Sequence, residues 1–236
     1  MILYTNGDSH TAGAECVTSF LFADQDPAYK HLGQAPHPQN LKASWSSFLA
    51  NHYNAELICN AQSGSSNHRI LRTTKEDLNQ ISLNHNRSEM LVVIGWSGWT
   101  REEWLIEGNY YQVNNSGNVG HTPYNYEDKY KEYIANVDED KCVEFWNDQI
   151  YKFSLELRRK GIKHIFFNGF QSLKNTKNPK LNWKHYIEPY NDEGTYDSYL
   201  KSKNIKHTGN FHYGRDGHKE WSNFLINYIK ENGIIR

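Results

Sequence analysis

Cysteine is scarce in this 236-residue chain, and its three copies, Cys16, Cys59 and Cys142, stand apart with no CxxC pair. That excludes a dense disulfide framework and a cysteine-ligated zinc site, and it fits a reducing compartment. The histidines are scattered without an HxxxH pair, so no metal site is expected. Charge of one sign is lacking as well. Twenty-six Lys and Arg face 27 Asp and Glu, and the pI is about 6.9. With no basic excess, non-specific nucleic-acid binding has no electrostatic footing. No run approaches the ~20 apolar residues that span a bilayer. The start also lacks the basic segment and apolar stretch of a signal peptide. The expectation is a soluble, cytoplasmic protein that engages neither membrane nor nucleic acid. The Asn, Lys, Tyr and Ile usage hints at an AT-rich genome, such as that of a virus.

What is present is aromatic: 14% of residues are Phe, Trp or Tyr, enough to lead the core. Four apolar runs read as strands: "MILYT" (1–5), "AELICNA" (55–61), "EMLVVIGW" (89–96) and "HIFFNGF" (164–170). They are continuous rather than alternating, the pattern of parallel strands covered on both faces. Helical spacing joins Trp45, Phe48, Leu49 and Tyr53, and then Ile70, Leu71 and Leu78. It recurs at Trp146, Ile150, Phe153 and Leu157, and at Trp221, Phe224, Leu225, Tyr228 and Ile229. Strands alternating with helices predict an α/β fold with a parallel sheet, in a single domain over residues 1–236. Residues 107–140 and 171–205 have weak periodicity and read as long loops.

In open α/β sheets, ligands bind beyond the carboxyl ends of the strands. After the first strand comes Gly7-Asp8-Ser9-His10, and after the second "QSGSSNHR", with Gly64 in its middle. Gly95-Trp96-Ser97-Gly98 and Arg101 follow the third. "TGNFHYGRDGHKEW" precedes the last helix. A serine becomes a nucleophile when a base takes its proton. An oxyanion hole needs donors aimed at the developing charge. The Ser9 N–H, the Gly64 turn and the Ser97 hydroxyl are candidates for those donors.

These blocks, "GDSHTAG", "NAQSG", "VVIGWSG" and "FHYGRDGHKEW", resemble in order and spacing those of the SGNH hydrolases, also called GDSL esterases and lipases. The resemblance runs from Gly7 to the final helix. It implies a three-layer α/β/α sandwich with about five parallel strands, flavodoxin-like, and an ester hydrolase that needs no cofactor. Its implied roles are Ser9 as nucleophile and first oxyanion donor, Gly64 as second donor, and His212 as general base. Two positions depart from the family pattern. Ser97 stands where the third donor is normally Asn. Gly209 stands where the triad Asp is expected, three residues before the histidine. Asn210 is the candidate to orient His212 in its place, or a backbone carbonyl leaves a Ser-His dyad.

Each residue also has a plainer reading. Gly-Asp-Ser alone is turn chemistry. His218, two residues after Asp216, rivals His212 as the base, although Asp216 also suits a helix N-cap. Arg101 is either a substrate-side anion site or an ion-pair partner. Trp96, Trp99 and Trp104 suit either a sugar platform or the core. The expected reaction is hydrolysis of a carboxylic ester on a small molecule or a glycan, an O-acetyl group among them. The alternatives are a non-catalytic glycan- or protein-binding module and an acyltransferase using the same residues.

Overall fold

The computed structural model describes residues 1–115, 124–181, 184–208 and 211–235. The apolar runs become strands β1 (Ile2–Asn6), β2 (Glu56–Cys59) and β3 (Met90–Trp96), with the fourth run forming β6 (Lys163–Asn168). All four pair in parallel, in the order β2-β1-β3-β6. A fifth position beside β6 is marked by one parallel bridge, Phe166 to Tyr186. The connections leave β1 and β3 in opposite directions across the sheet. The chain therefore has a topological switch point between the carboxyl ends of these two strands, where open α/β sheets build their sites.

Helices cover both faces. Along β3, Met90, Val92, Ile94 and Trp96 pack with Ile70 and Leu78 of α4 (Asn67–Asn84) and with Trp146, Ile150 and Phe153 of α6 (Glu139–Arg159). The alternate residues Leu91 and Val93 pack with Trp45 and Leu49 of α3 (Trp45–His52) and with Trp221 and Leu225 of α8 (Arg215–Glu231). A side-chain period of two puts successive residues of a strand on opposite faces. Apolar residues at nearly every position are thus what a sheet with two covered faces requires. Capping side chains set several helix starts: Ser44 accepts from the Ser47 N–H, Ser66 from Arg69 and Asp138 from Lys141. Helix α8 starts differently: Gly214 is its N-cap, and Asp216 lies in the first turn instead of capping it.

The segments that read as long loops are partly regular. Within 107–140 lie β5 (Asn109–Val113) and α5 (Glu127–Asn136). Strand β5 pairs antiparallel with β4 (Glu102–Ile106) as a separate hairpin. Trp104, Ile106, Val113 and Tyr130 give hairpin and helix a small core of their own. Within 171–205 lies α7 (Tyr196–Ser202). Among the described residues, no helix is long and apolar enough to cross a membrane.

Candidate active site

The turn after β1 is built by glycine and by buried amides. A side chain at Gly7 would run into Thr11 and the Gly95 carbonyl, so only glycine lets β1 turn this close to β3. Buried Asn6 fixes the turn from below. Its Oδ1 accepts from the Gly7 N–H at 2.8 Å, and its Nδ2 donates to Thr73 and Thr74 of α4 at 2.9 and 3.0 Å. Asp8 then caps the four-residue helix α1 (Ser9–Ala12), accepting from the His10 N–H at 3.1 Å. Ser9 occupies the first helical position and is half-buried. Among the described residues, neither its hydroxyl nor its backbone N–H has a partner, and the Gly64 N–H has none either. Gly64 holds φ at +77°, the left-handed region that favours glycine. Its loop lies beside the turn, with the Gln62 N–H donating to the Gly7 carbonyl at 3.2 Å.

His212 sits on a short return of chain. The Thr208 N–H donates to the His212 carbonyl at 2.9 Å, and His207 and Tyr213 form an antiparallel bridge. Asp197 of α7 ties this return down, accepting from the Tyr213 hydroxyl at 2.8 Å and pairing with His207 at 3.3 Å. The His212 ring lies 5.1 Å, centroid to centroid, from that of His10, the neighbour of Ser9. The late histidine is thus brought to the start of α1.

Its orienting partner is Glu15, whose Oε2 lies 2.5 Å from His212 Nδ1. Both side chains are mostly buried. His212 Nε2 faces no protein partner among the described residues. Glu15 was missed in sequence because it sits 197 residues from His212, in "AGAEC", with no motif to mark it. Its backbone carries a signal that sequence does not show: φ is +57°, a costly conformation for a non-glycine residue. Asn210 and Gly209 lie outside the described residues.

The structure gives the Ser97 hydroxyl different partners from the one the sequence suggests, and gives Arg101 the ion pair that is one of its two readings. The buried Ser97 hydroxyl donates to Asp8 at 2.9 Å and accepts from Arg101 at 2.6 Å, so its proton is committed to a carboxylate and not to an oxyanion. Arg101 pairs with Asp8 at 3.2 Å. Burial alone would raise the pKa of Asp8. The charges of His10 and Arg101, with hydrogen bonds from Ser97 and the His10 N–H, bring it below the usual carboxylate range. Burial lowers the pKa of His10 itself to about 4. At neutral pH, Arg101 is therefore the standing counter-charge. Asn67 completes the brace, its amide exchanging two hydrogen bonds with the backbone of Ser97.

His218 does not compete with His212. It is buried, its Nδ1 accepts from the Trp45 N–H at 3.2 Å, and burial lowers its pKa to about 3. It ties α8 to the start of α3. Trp96, Trp99 and Trp104 are all buried, so they belong to the cores and offer no open platform. Among the described residues, no group of three or more His, Cys, Asp or Glu is placed to hold a metal ion.

The class defined here is an α/β protein with a parallel sheet, carrying a serine, a glutamate-held histidine and two open backbone donors at its switch point. The chain belongs to a family of unknown function, DUF6071, whose model matches residues 37–177. No curated protein matches it. Among solved structures it is similar to an acetyl xylan esterase from the rumen bacterium Butyrivibrio proteoclasticus, at 14% identity and a TM-score of 0.47. That match covers 99% of this chain and 64% of the other, so the chain spans less than two thirds of that esterase. A carbohydrate esterase is similar at 18% identity and a TM-score of 0.47, covering 98% of this chain and 69% of that one. A Desulfitobacterium hafniense protein assigned to the G-D-S-L lipolytic family matches at 12% identity and a TM-score of 0.38, covering 96% and 98%.

Proposed function

We propose that this protein is a serine esterase of the SGNH type that hydrolyses a carboxylic ester, an O-acetyl group on a glycan being the favoured substrate. One observation carries the reading: Glu15 holds His212 by Nδ1, the His212 ring lies 5.1 Å from that of His10, next in the chain to strand-end Ser9, and among the described residues neither His212 Nε2 nor the Ser9 hydroxyl has a partner. Ser9 Oγ attacks the ester carbonyl carbon as His212 Nε2 takes its proton. Glu15 fixes the tautomer and stabilises the imidazolium. The Ser9 and Gly64 N–H groups receive the negative charge on the carbonyl oxygen. The alcohol leaves with the proton from His212, giving an acyl-enzyme. Water, deprotonated by His212, then releases the acid and restores Ser9. Asp8, Ser97 and Arg101 form a buried brace that holds the turn. In this reading Arg101, paired with Asp8 through Nη1, is a positioning residue.

The test is labelling with a fluorophosphonate, followed by locating the adduct. Labelling at Ser9 that is lost in Ser9→Ala is the expected result. An unlabelled wild type, or an adduct on another serine, would sink the proposal. His212→Ala is expected to lower turnover of 4-nitrophenyl acetate by roughly 10⁴-fold or more, as loss of a triad member does, and His218→Ala by less than about tenfold.

A further inference from the structure

The β4–β5 hairpin lies beside the Gly64 loop. Gln112 of β5 ties the two together: its Oε1 accepts from the Ser66 N–H at 2.9 Å, and its Nε2 donates to Glu103 at 2.9 Å. A cavity of about 500 Å³ opens between hairpin and loop, with Gly64 in its wall. That volume is within the range of small-molecule sites, about 300–1,000 Å³. Among the described residues, none that lines it is charged. Its chemistry comes from side-chain amides and aromatic rings.

Several of those amide groups are set in place and still open. Gln25 Oε1 accepts from the Leu21 and Phe22 N–H groups at 2.6 and 3.1 Å, and its Nε2 has no protein partner among the described residues. Gln62 Nε2 donates to Gln34 Oε1 at 2.7 Å, and among the described residues the Gln62 acceptor and the Gln34 donor have no other partner. Tyr110 adds a ring that is 49% exposed. The Arg72 guanidinium lies 3.8 Å from the ring centroid, and Glu103 in turn holds Arg72 at 2.8 Å. Fixed donors and acceptors without charge, next to an aromatic face, match the hydroxyls and the apolar C–H faces of an uncharged sugar. An ionic ligand would find no counter-charge in this wall and would lose hydration without return.

We propose that this cavity is the saccharide subsite of the enzyme, binding an uncharged oligosaccharide so that its ester group lies at Gly64 and Ser9. The hairpin is then the substrate-specifying element. The proposal rests on the esterase reading for the direction in which the sugar points, and its binding step can be measured without any turnover.

The experiment titrates the wild-type protein with unacetylated xylohexaose, cellohexaose and mannohexaose, and with a galacturonate oligomer as the charged control, by calorimetry. Turnover of 4-nitrophenyl acetate is measured alongside. Saturable binding of at least one neutral oligomer, and none of the charged one, is expected. Tyr110→Ala and Gln25→Leu are each expected to weaken that binding by about tenfold, equivalent to ~1.4 kcal/mol. Tyr110→Phe should restore it, and all three variants should keep kcat/KM for 4-nitrophenyl acetate. Hydrolysis of 4-nitrophenyl acetate with no neutral oligomer bound would overturn the subsite and leave the esterase standing. Equal or tighter binding of the galacturonate oligomer would overturn it too. Sugar binding without any ester hydrolysis would overturn the esterase reading instead.

Discussion

Glu15 is the residue on which the proposed chemistry turns. Glu15→Gln keeps a hydrogen-bonding group at His212 Nδ1 and removes the charge that stabilises an imidazolium. Turnover of 4-nitrophenyl acetate is expected to fall by about 10²–10⁴-fold, in line with amide-for-acid replacement in a triad. Steady-state kinetics check this, and a loss of less than about tenfold would move the orienting role away from Glu15. Glu15→Gly separates function from folding. It relieves a left-handed backbone that costs roughly 1–2 kcal/mol, so this variant should melt no lower than wild type while losing activity; a melting scan with an activity assay decides. Ser9, Gly64 and His212 were legible in sequence because each sits in a short motif at a strand end or before a helix. Glu15 was not, because its partner is distant in the chain and its value arises only when the sheet brings the two together. The partners of the Ser97 hydroxyl are hidden in sequence for a related reason: nothing local shows that Asp8 and Arg101 converge on it.

At the scale of elements, the sheet and its helices could be read because continuous apolar runs and helical stripes are strong signals. The β4–β5 hairpin could not. Its turn is Glu107-Gly108, with φ of +49° and +82°, the two positive values of a type I′ turn. Such turns favour Asn-Gly or Asp-Gly, and glutamate in the first place hides the signal. The same misfit makes a prediction. Glu107→Asn should stabilise the protein by ~0.5–1 kcal/mol, since asparagine tolerates the left-handed region better than glutamate. A rise in Tm of about 1–4 °C is the expected readout in a melting scan. An unchanged or lower Tm would mean that the hairpin melts separately from the sheet.

At the scale of the whole molecule, burial of neutral histidines links stability to pH. His10 and His164 have pKa values lowered to about 4 by burial, and His218 to about 3. In the unfolded chain each titrates near 6.5. Between that value and its folded pKa, the unfolded state binds more protons than the native state. Stability is therefore complete above about pH 6.5 and falls as the pH drops toward 4. Denaturant melts from pH 8 to pH 4 test the sign. His218→Gln, which cannot take up a proton, should flatten part of the slope, whatever its own effect on stability at neutral pH.

The Glu15–His212 pair has a temporal consequence. Its two members come from opposite ends of the described chain, 197 residues apart. During synthesis or refolding, β1 and the serine turn can form early, yet they remain chemically inert until the segment just before the last helix arrives. On the proposed function, activity is thus a late marker of completed folding. In a refolding experiment, recovery of Ser9 labelling should lag behind recovery of the helical circular dichroism signal. A chain stopped after α6 should label no faster than the Ser9→Ala variant. If Ser9 is the proposed nucleophile, unfinished chains would carry no hydrolytic activity, and the cell would meet it only once the fold that restrains it is in place.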